Sequence, residues 1–186
     1  MAATITMKAR MGALIAALTL AACDSGGVPP PGQEPLRASS QSVDEGEVML
    51  RSEGLVAGSE AFYFAAGRAE IEAALEPILG EPMGRSENFE CGTGEMQFTE
   101  YEGGLIVNFQ RGSLVGWNTR DPSSSVRAIG DVQIGTSREA ATGSESFSAI
   151  EGSTLGDEFA LGGAMGGFFE GDAVVMLYAG AQCFFR

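Results

Sequence analysis

The clearest pattern of hydrophobic and polar positions in the chain predicts a helix over residues 68 to 79. Its apolar positions recur every three or four residues, as on one face of a helix, and are Ile71, Ala74, Leu75, Ile78 and Leu79. Gly67 with Glu70 resembles a capping box, and Gly80 lies where a left-handed C-cap is needed. Pro77 lacks a backbone donor, so we expect a kink, or an end near Leu75 followed by one tighter turn.

On both sides of this helix the pattern predicts short strands. Before the helix they are expected at residues 47 to 50, 54 to 56 and 61 to 64. After Pro82 the apolar positions alternate with polar or small ones, as in strands with one buried face; they are Met96, Phe98, Leu105, Val107, Phe109, Val115 and Trp117. The glycine-containing breaks between these runs predict a three-stranded antiparallel meander that packs on the helix.

A weaker version of the same pattern recurs in the second half of the chain. Thr136 and Glu139 form a capping box before a short helix that Gly143 interrupts. Strands are predicted at 158 to 161, 164 to 169 and 173 to 178, with an edge strand at 182 to 186.

These patterns predict an α+β fold class. We expect two helix-then-antiparallel-meander units, about residues 61–118 and 129–186, the second degenerate, in one domain over 43–186. A mainly-β sandwich is the alternative if the second helix does not form.

The first apolar run of the chain, residues 11 to 20, indicates an export signal. It follows Lys8 and Arg10 and is too short for a bilayer core, which needs about 20 residues in a helix. Either Met1 or Met7 can serve as the start. The sequence Leu-Ala-Ala-Cys at residues 20 to 23 resembles the lipobox of bacterial lipoproteins. That resemblance implies removal of residues 1–22 and lipidation of Cys23, first with diacylglycerol on sulfur and then with an acyl chain on the new amine. Ordinary signal cleavage after Ala22, without lipid, is the alternative.

The resemblance also sets the expected location. Such a protein is held in the cell envelope through its lipid and faces the periplasm. Asp24 resembles the inner-membrane retention signal of enterobacterial lipoproteins, with an ordinary linker residue as the alternative, so inner and outer membrane both remain open. The stretch 23–42 is rich in proline, glycine and serine and is expected to be a flexible tether.

Charge and composition exclude several functions. Without residues 1–22, whose only charged side chains are Lys8 and Arg10, the chain has 9 basic and 25 acidic side chains and a net charge of about −16. This charge repels nucleic acid, so no nucleic-acid partner is expected. The chain contains no histidine, which removes the commonest general base and transition-metal ligand.

The three cysteines divide into the lipidation site and two others, Cys91 and Cys183. In an oxidising compartment these two are expected to form a disulfide joining the two units. Two buried thiols and a redox-active pair are the alternatives. The second lacks a Cys-x-x-Cys spacing and a neighbouring histidine or lysine to lower a thiol pKa.

The search for catalytic motifs leaves only carboxylates. Nucleotide-binding glycine motifs lack the required spacing and context, and no cofactor or metal site is predicted. Two positioned acids can hydrolyse a glycosidic bond, so a carboxylate-dependent cell-wall glycan hydrolase is the alternative function; the candidate acids flank strands and are Glu100, Glu102, Asp157 and Glu158. The turn at residues 170 to 172 has two carboxylates, too few for calcium.

Several short motifs resemble small uncharacterised lipoproteins of alphaproteobacteria. They are the lipobox, Ile78-Leu79-Gly80-Glu81-Pro82, Glu90-Cys91-Gly92, Gly116-Trp117 and Ala179-Gly180-Ala181-Gln182-Cys183-Phe184. The Leu-Gly-x-Pro turn followed by a meander is also similar to the repeat of SmpA-type outer-membrane assembly lipoproteins and of β-lactamase inhibitor proteins. Because those proteins are binders, the resemblance implies a non-catalytic binding or structural domain with an envelope protein as partner. The sequence predicts no catalytic residue for such a domain.

Overall fold

An eight-stranded antiparallel sheet and a smaller four-stranded sheet dominate the structure, a computed structural model that describes residues 45 to 184. The helices are α1 (Arg68–Leu79) and α2 (Arg138–Thr142). The strands are β1 (Val48–Arg51), β2 (Gly54–Ala57), β3 (Glu60–Tyr63), β4 (Gly84–Asn88), β5 (Met96–Glu100), β6 (Leu105–Gln110), β7 (Ser113–Thr119), β8 (Val126–Ala128), β9 (Phe147–Ala149), β10 (Asp157–Leu161), β11 (Met165–Glu170) and β12 (Ala173–Gly180).

The strand orders define two sheets of different kinds. The smaller sheet has the order β3-β2-β1-β8, and β8 pairs in parallel with β1. The larger sheet has the order β4-β5-β6-β7-β12-β11-β10-β9, and each neighbouring pair is antiparallel. Helix α1 precedes the first four-stranded half of this sheet, and α2 precedes the second half. The halves meet where β7 pairs with β12, with Asn118 opposite Tyr178.

The two halves repeat each other in detail. A register shift occurs at Asn108/Phe109 between β6 and β7, and again at Phe168/Phe169 between β11 and β12. The residue before each helix bridges to the first residue of the last strand of its half: Gly67 to Ser113, and Ser137 to Ala173. An approximate two-fold axis therefore passes between β7 and β12.

The first residue of each helix is an arginine with the same surroundings in both halves. The Arg68 backbone N–H donates to the Gly112 carbonyl, and the Arg138 N–H donates to the Asp172 carbonyl. The Arg68 guanidinium lies 5.1 Å from the centre of the Phe109 ring, and that of Arg138 lies 4.1 Å from the Phe169 ring. In both halves the arginine thus joins the helix start to the sheet through cation–π and hydrogen-bonding contacts.

In the first half this contact extends into a small ionic network. The Glu72 carboxylate accepts hydrogen bonds from Arg68 Nε at 2.8 Å, Arg85 Nη2 at 3.0 Å and Thr99 Oγ1 at 2.8 Å. Burial raises the pKa of the Glu72 carboxyl, but the hydrogen bonds from Arg85, Arg68 and Thr99 outweigh burial and lower that pKa to about 2. The network holds α1 against β4 and β5.

The core lies between the inner face of the larger sheet and the layer formed by both helices and the smaller sheet. It contains the predicted helix face, Ile71 and Leu75, with Phe109 and Trp117 from the sheet. Trp117 Nε1 donates to the Arg51 carbonyl at 2.8 Å, which satisfies the buried indole and links the two sheets. Residues from β1, β8 and α2 complete the same cluster.

Several sequence predictions hold and others need correction. Strands dominate the described residues, so the mainly-β alternative describes the content better than α+β alone. Helix α1 has the predicted bounds, but it continues through Pro77 rather than ending near Leu75. Gly67 makes no side-chain capping bond, because it has no side chain to accept one. Ser137, not Thr136, caps α2 by accepting from the Ala140 N–H.

The strands β4, β8 and β9 were missed. With β4 and β9, each meander has four strands rather than three. The predicted edge strand beginning at residue 182 is wrong for its described part, since residues 181 to 184 form no strand. They instead lie across the outer face of the larger sheet, which is the face turned away from α1, α2 and the smaller sheet.

Candidate functional site

Some of the predicted site residues lie within the part of the chain that the structure describes. Cys23 and Asp24 lie outside the described residues, so lipidation and sorting stay predictions. The disulfide between Cys91 and Cys183 is confirmed, with the two Cα atoms 5.0 Å apart and a sequence separation of 92. It ties the C-terminal segment, residues 181 to 184, to the connection between β4 and β5.

The outer face of the larger sheet is the face that α1, α2 and the smaller sheet leave uncovered. Alternation along the strands places Phe98, Ile106, Asn118 and Tyr178 on this face. Asn118 lies opposite Ile106 on β6 and opposite Tyr178 on β12, and Phe98 on β5 lies opposite Asn108 on β6. The C-terminal segment crosses this face. The C-terminal segment therefore covers one part of this sheet surface.

Hydrogen bonds from Gln182 fix the C-terminal segment in place. Gln182 Nε2 donates to the carbonyls of Trp117 at 3.0 Å and Ala179 at 2.8 Å. Its Oε1 accepts from Asn108 Nδ2 at 3.0 Å and Asn118 Nδ2 at 3.4 Å. Because the two carbonyls can only accept, the Gln182 amide has one orientation, and both asparagines must turn their nitrogens toward it.

This orientation leaves two unsatisfied acceptors at the centre of the sheet, the Oδ1 atoms of Asn108 and Asn118. Asn118 is 6% exposed, and no donor among residues 45 to 184 reaches its Oδ1. Leaving such a buried acceptor unpaired costs about 1 to 3 kcal/mol. Buried polar atoms without partners are uncommon, and this oxygen has less than 1 Å² of accessible surface, so a group in the neighbouring space does not reach it.

Asn118 lies on the wall of a cavity of about 360 Å³ on the outer face. The floor comes from β4 to β7, and the C-terminal segment forms one side. Apolar parts of the wall come from Phe98, Ile106 and Phe184, and polar parts from Ser86, Asn88, Glu100, Asn118, Arg120 and Gln182. A cavity that combines apolar walls with a few polar groups is the usual form of a ligand site.

The two arginines at this cavity differ in their partners. Arg85 is paired with Glu72 on the inner side of the sheet. Arg120 follows β7 and is exposed, and its guanidinium forms no ion pair with any residue that the structure describes. Arg120 is thus the cation that the cavity can offer to an anionic group.

The four candidate acids of a glycan hydrolase are not brought together. Glu100 lies on β5 and Glu158 on β10, with β6, β7, β12 and β11 between them, or about 24 Å at the usual strand spacing. The two carboxyls of a glycosidase are about 5 to 9.5 Å apart. Asp157 points to the other face from its neighbour Glu158 and pairs with Arg138 at 2.6 Å.

The remaining pairing, Glu100 with Glu102, lacks the environment of a general acid. Both residues are exposed. A glycosidase acid is typically held in an apolar or charge-coupled pocket that keeps it protonated. The structure therefore adds no support for the hydrolase alternative.

Glu158 instead belongs to a buried cluster on the outer face of the second half. It is 2% exposed and accepts hydrogen bonds from the Tyr178 hydroxyl and the Ser153 hydroxyl, both at 2.5 Å. The Tyr178 ring covers Gly166 on the neighbouring strand, leaving no room for a Cβ atom there. Tyr178 also contacts the rings of Phe168 and Phe184, so the cluster extends to the C-terminal segment.

The turn at residues 170 to 172 is occupied by a cation from the protein. Arg138 Nη2 donates to the Gly171 carbonyl at 2.6 Å. Among residues 45 to 184 no group of three or more acidic or cysteine side chains is placed to hold a metal ion.

Sequence reasoning missed Asn118, Arg120 and Gln182 as site residues. Asn118 and Asn108 do carry a signal, since both are polar residues inside strands whose neighbours are apolar. Their burial depends on Gln182, which lies 64 and 74 residues further along the chain. No local pattern links these positions.

Comparisons with known proteins give little further guidance. No family model matches the chain, and no curated protein matches it. A solved structure that is similar is the crystal structure of the uncharacterized protein yfeY from Escherichia coli, at 16% sequence identity and a TM-score of 0.47. The match covers 72% of this chain and 99% of that chain. So weak a similarity supports no inference about function.

Within the described residues, neither helix has the length and apolar character needed to cross a membrane.

Proposed function

We propose that this chain is a lipid-anchored cell-envelope protein whose domain binds another envelope protein and catalyses no reaction. In this proposal Cys23 carries the lipid, residues 23 to 42 are the tether, and an α+β domain of two helix-then-meander units faces the periplasm. The short apolar run and the lipobox support the anchor. The net charge of about −16 makes a nucleic-acid partner unfavourable.

The observation that carries the binding role is the uncovered outer face of the eight-stranded sheet. It presents a cavity with aromatic walls and the exposed guanidinium of Arg120, which forms no ion pair among residues 45 to 184. At the outer edge of the same sheet, Met83 and Phe89 flank β4 and are 70% and 69% exposed. A protein surface of this composition, with aromatic residues, methionine and arginine beside a pocket, is typical of an interface.

The anchor is tested by replacing the lipidated residue. The Cys23→Ser protein is expected to leave the membrane fraction and to lose incorporation of labelled palmitate, whereas the wild type keeps both. A Cys23→Ser protein that stayed fully membrane-bound would contradict the anchor. Density-gradient separation of the two membranes, for the wild type and for Asp24→Ser, decides whether Asp24 retains the protein on the inner membrane.

The binding role is tested by photo-crosslinking in cells. A photo-reactive phenylalanine analogue at Ile106, on the outer face, is expected to give a discrete crosslinked protein. The same analogue at Ala69, exposed on α1, is the matched control and is expected to give none. Equal crosslinking from both positions, or none from Ile106, argues against an interface on this face.

The hydrolase alternative has its own measurement. Turnover of muropeptides that disappears in Glu100→Gln or Glu158→Gln, while the fold is retained, would favour the enzyme over the binder.

A further inference from the structure

We propose that a second copy of this chain pairs with strand β4, so that two eight-stranded sheets join edge to edge about a two-fold axis through Ser86. The inference goes beyond the proposed function, since it concerns the edge of the larger sheet rather than its outer face. It follows from three features of β4: a free edge, charges that match those of a second copy, and an exposed apolar residue beyond each end.

Strand β4 is the longest edge strand among residues 45 to 184. It has five residues, whereas β3 has four and β8 and β9 have three each. One side of β4 pairs with β5 without a register shift, and no described strand pairs with the other side. Its sequence has neither proline nor lysine, which commonly block pairing at an edge. The free side therefore presents backbone N–H and C=O groups that a further strand can pair with.

An antiparallel strand can pair with a copy of itself about a two-fold axis through one residue. Hydrogen-bonded and non-hydrogen-bonded residue pairs alternate along an antiparallel ladder, and such an axis can pass through either kind of pair. With the axis at Ser86, the middle residue of β4, all five residues are paired and about four to six backbone hydrogen bonds form between the copies. Directly opposite residues share a face, so the inner faces of the two sheets become continuous.

The charges on β4 are complementary in this register. Arg85 of one copy lies opposite Glu87 of the second copy, and the symmetry repeats this pair on the other side of the axis. Opposite charges at directly opposite positions stabilise a strand pair, and like charges destabilise it. Sliding one copy by two residues in either direction would place Arg85 opposite Arg85 or Glu87 opposite Glu87. The charges therefore select the register centred on Ser86.

Both charged side chains have capacity left for this contact. Arg85 is 52% exposed and uses Nε and Nη2 for Glu72, so its Nη1 has no partner among residues 45 to 184. Glu87 accepts from Gln97 Nε2 at 2.9 Å and forms no ion pair within the same residues. A hydrogen bond with Glu87 raises the pKa of the Glu95 carboxyl, so two acidic groups lie close together there. A guanidinium from a second copy would offset this repulsion.

Exposed apolar residues lie beyond both ends of β4, at equal distances from Ser86. Met83 is three residues before Ser86 and 70% exposed, and Phe89 is three residues after it and 69% exposed. In the same register Met83 of one copy lies beside Phe89 of the second copy at each end of the paired strands. Because a methionine sulfur and an aromatic ring make a favourable contact, pairing would bury two apolar side chains on each copy.

The test uses photo-crosslinking of the full chain in cells, since its net charge of −14 opposes self-association in dilute solution. Two copies with different tags are co-expressed, and a photo-reactive phenylalanine analogue replaces Ser86. A crosslinked product that contains both tags is expected, because the two Ser86 positions meet at the axis. Ser148, an exposed serine in the middle of β9 at the opposite edge of the sheet, is the matched control and is expected to give no such product.

Charge variants test the register. Glu87→Arg keeps the contact of Arg85 with Glu72 but places arginines opposite each other, so crosslinking from Ser86 is expected to fall about fivefold or more. Arg85→Glu places carboxylates opposite each other and is expected to have the same effect. Co-expression of one copy with each change is expected to restore the crosslink, because arginines then face carboxylates. Glu145→Arg, at an exposed position away from β4, is the control for charge reversal and is expected to leave the crosslink unchanged.

The outcomes separate this inference from the proposed function. No product with both tags from Ser86, or an equal amount from Ser148, overturns the inference. A Ser86 product that lacks the second tag also overturns it, since the added strand would then come from another protein. Failure of the two co-expressed variants to restore the crosslink, while each still forms the Cys91–Cys183 disulfide, overturns the charge pairing and with it the interface. A crosslinked envelope protein from Ile106 despite such results would leave the proposed function standing.

Discussion

Gln182 accepts a hydrogen bond from Asn108 across 74 residues of chain, with a donor–acceptor distance of 3.0 Å. Asn108 Nδ2 also donates to the Ala181 carbonyl at 2.9 Å. The C-terminal segment is thereby fastened to the middle of the sheet by side chains, independently of the disulfide one residue further on. This fastening, rather than strand pairing, explains why residues 181 to 184 lie where they do.

Removing the Gln182 side chain should therefore destabilise the protein. Gln182→Ala loses the bonds to the Trp117 and Ala179 carbonyls and leaves Asn108 and Asn118 with unpaired donors. We expect the free energy of unfolding to fall by about 1 to 3 kcal/mol, measured by urea denaturation under oxidising conditions. Ser124→Ala, at an exposed position, is the control and should change it by about 0.5 kcal/mol or less. A Gln182→Ala protein as stable as the control would show that these bonds do not hold the segment.

Removing the disulfide should have a larger effect. Cys91→Ser together with Cys183→Ser frees a loop with a sequence separation of 92, and we expect a loss of about 2 to 5 kcal/mol. Reduction of the wild type should give the same loss and should expose two thiols in the denatured chain. A thiol count that is the same before and after reduction is the result that would refute the bridge.

The Glu72 network predicts a dependence of stability on pH. Since its folded pKa of about 2 lies below the ordinary value of 4.5, Glu72 contributes stability above about pH 4.5 and loses it as the pH falls toward 2. Because the group is partly solvent-screened, we expect about 1 to 2 kcal/mol at neutral pH. Unfolding curves of wild type and Glu72→Gln should differ by this amount at pH 7 and converge near pH 2.

The control for Glu72 lies on the same helix. Glu76→Gln removes an exposed carboxylate one turn away and should show no such convergence. A constant difference between wild type and Glu72→Gln from pH 7 to pH 2 would mean that the effect comes from packing and not from the charge.

The contact between Gly166 and Tyr178 predicts a steric effect. Gly166→Ala places a methyl group where the Tyr178 ring lies, so the ring must move away from Glu158 and Phe184. We expect a loss of about 1 to 3 kcal/mol in the free energy of unfolding, as for other overpacked sites. Gly46→Ala, where nothing lies within 4 Å, should be nearly neutral. Equal stability of the two variants would show that the ring has another low-energy position.

The sequence predicted those parts of the fold whose signal is local. The bounds of α1 follow from the spacing of Ile71, Leu75 and Leu79 and from the flanking glycines, and the structure has the same bounds. The predicted end near Leu75 is wrong, because the apolar face continues to Leu79 despite the missing backbone donor of Pro77. In the last turn of a helix that one lost bond is outweighed by burial of Leu79.

The missed strands share an edge position: β4 and β9 are the two edges of the larger sheet, and β8 is an edge of the smaller sheet. Strand β4, with the sequence Gly-Arg-Ser-Glu-Asn, has almost no apolar residue, because an edge strand with an exposed outer face needs little burial. Its pairing is supplied by β5 and by the ionic contact of Arg85 with Glu72. The site around Asn118 was missed because its burial depends on Gln182, a residue distant in sequence, and only the folded chain brings them together.

The near two-fold arrangement about β7 and β12 has a consequence for how this protein can diverge. Asn118 and Tyr178 face each other across the axis, yet the first borders an open cavity and the second fills its own surroundings with an aromatic cluster. One half thus supplies rigidity while the equivalent surface of the other is free to vary. Substitutions that reshape the cavity can therefore be confined to a single half, away from the frame that both halves build.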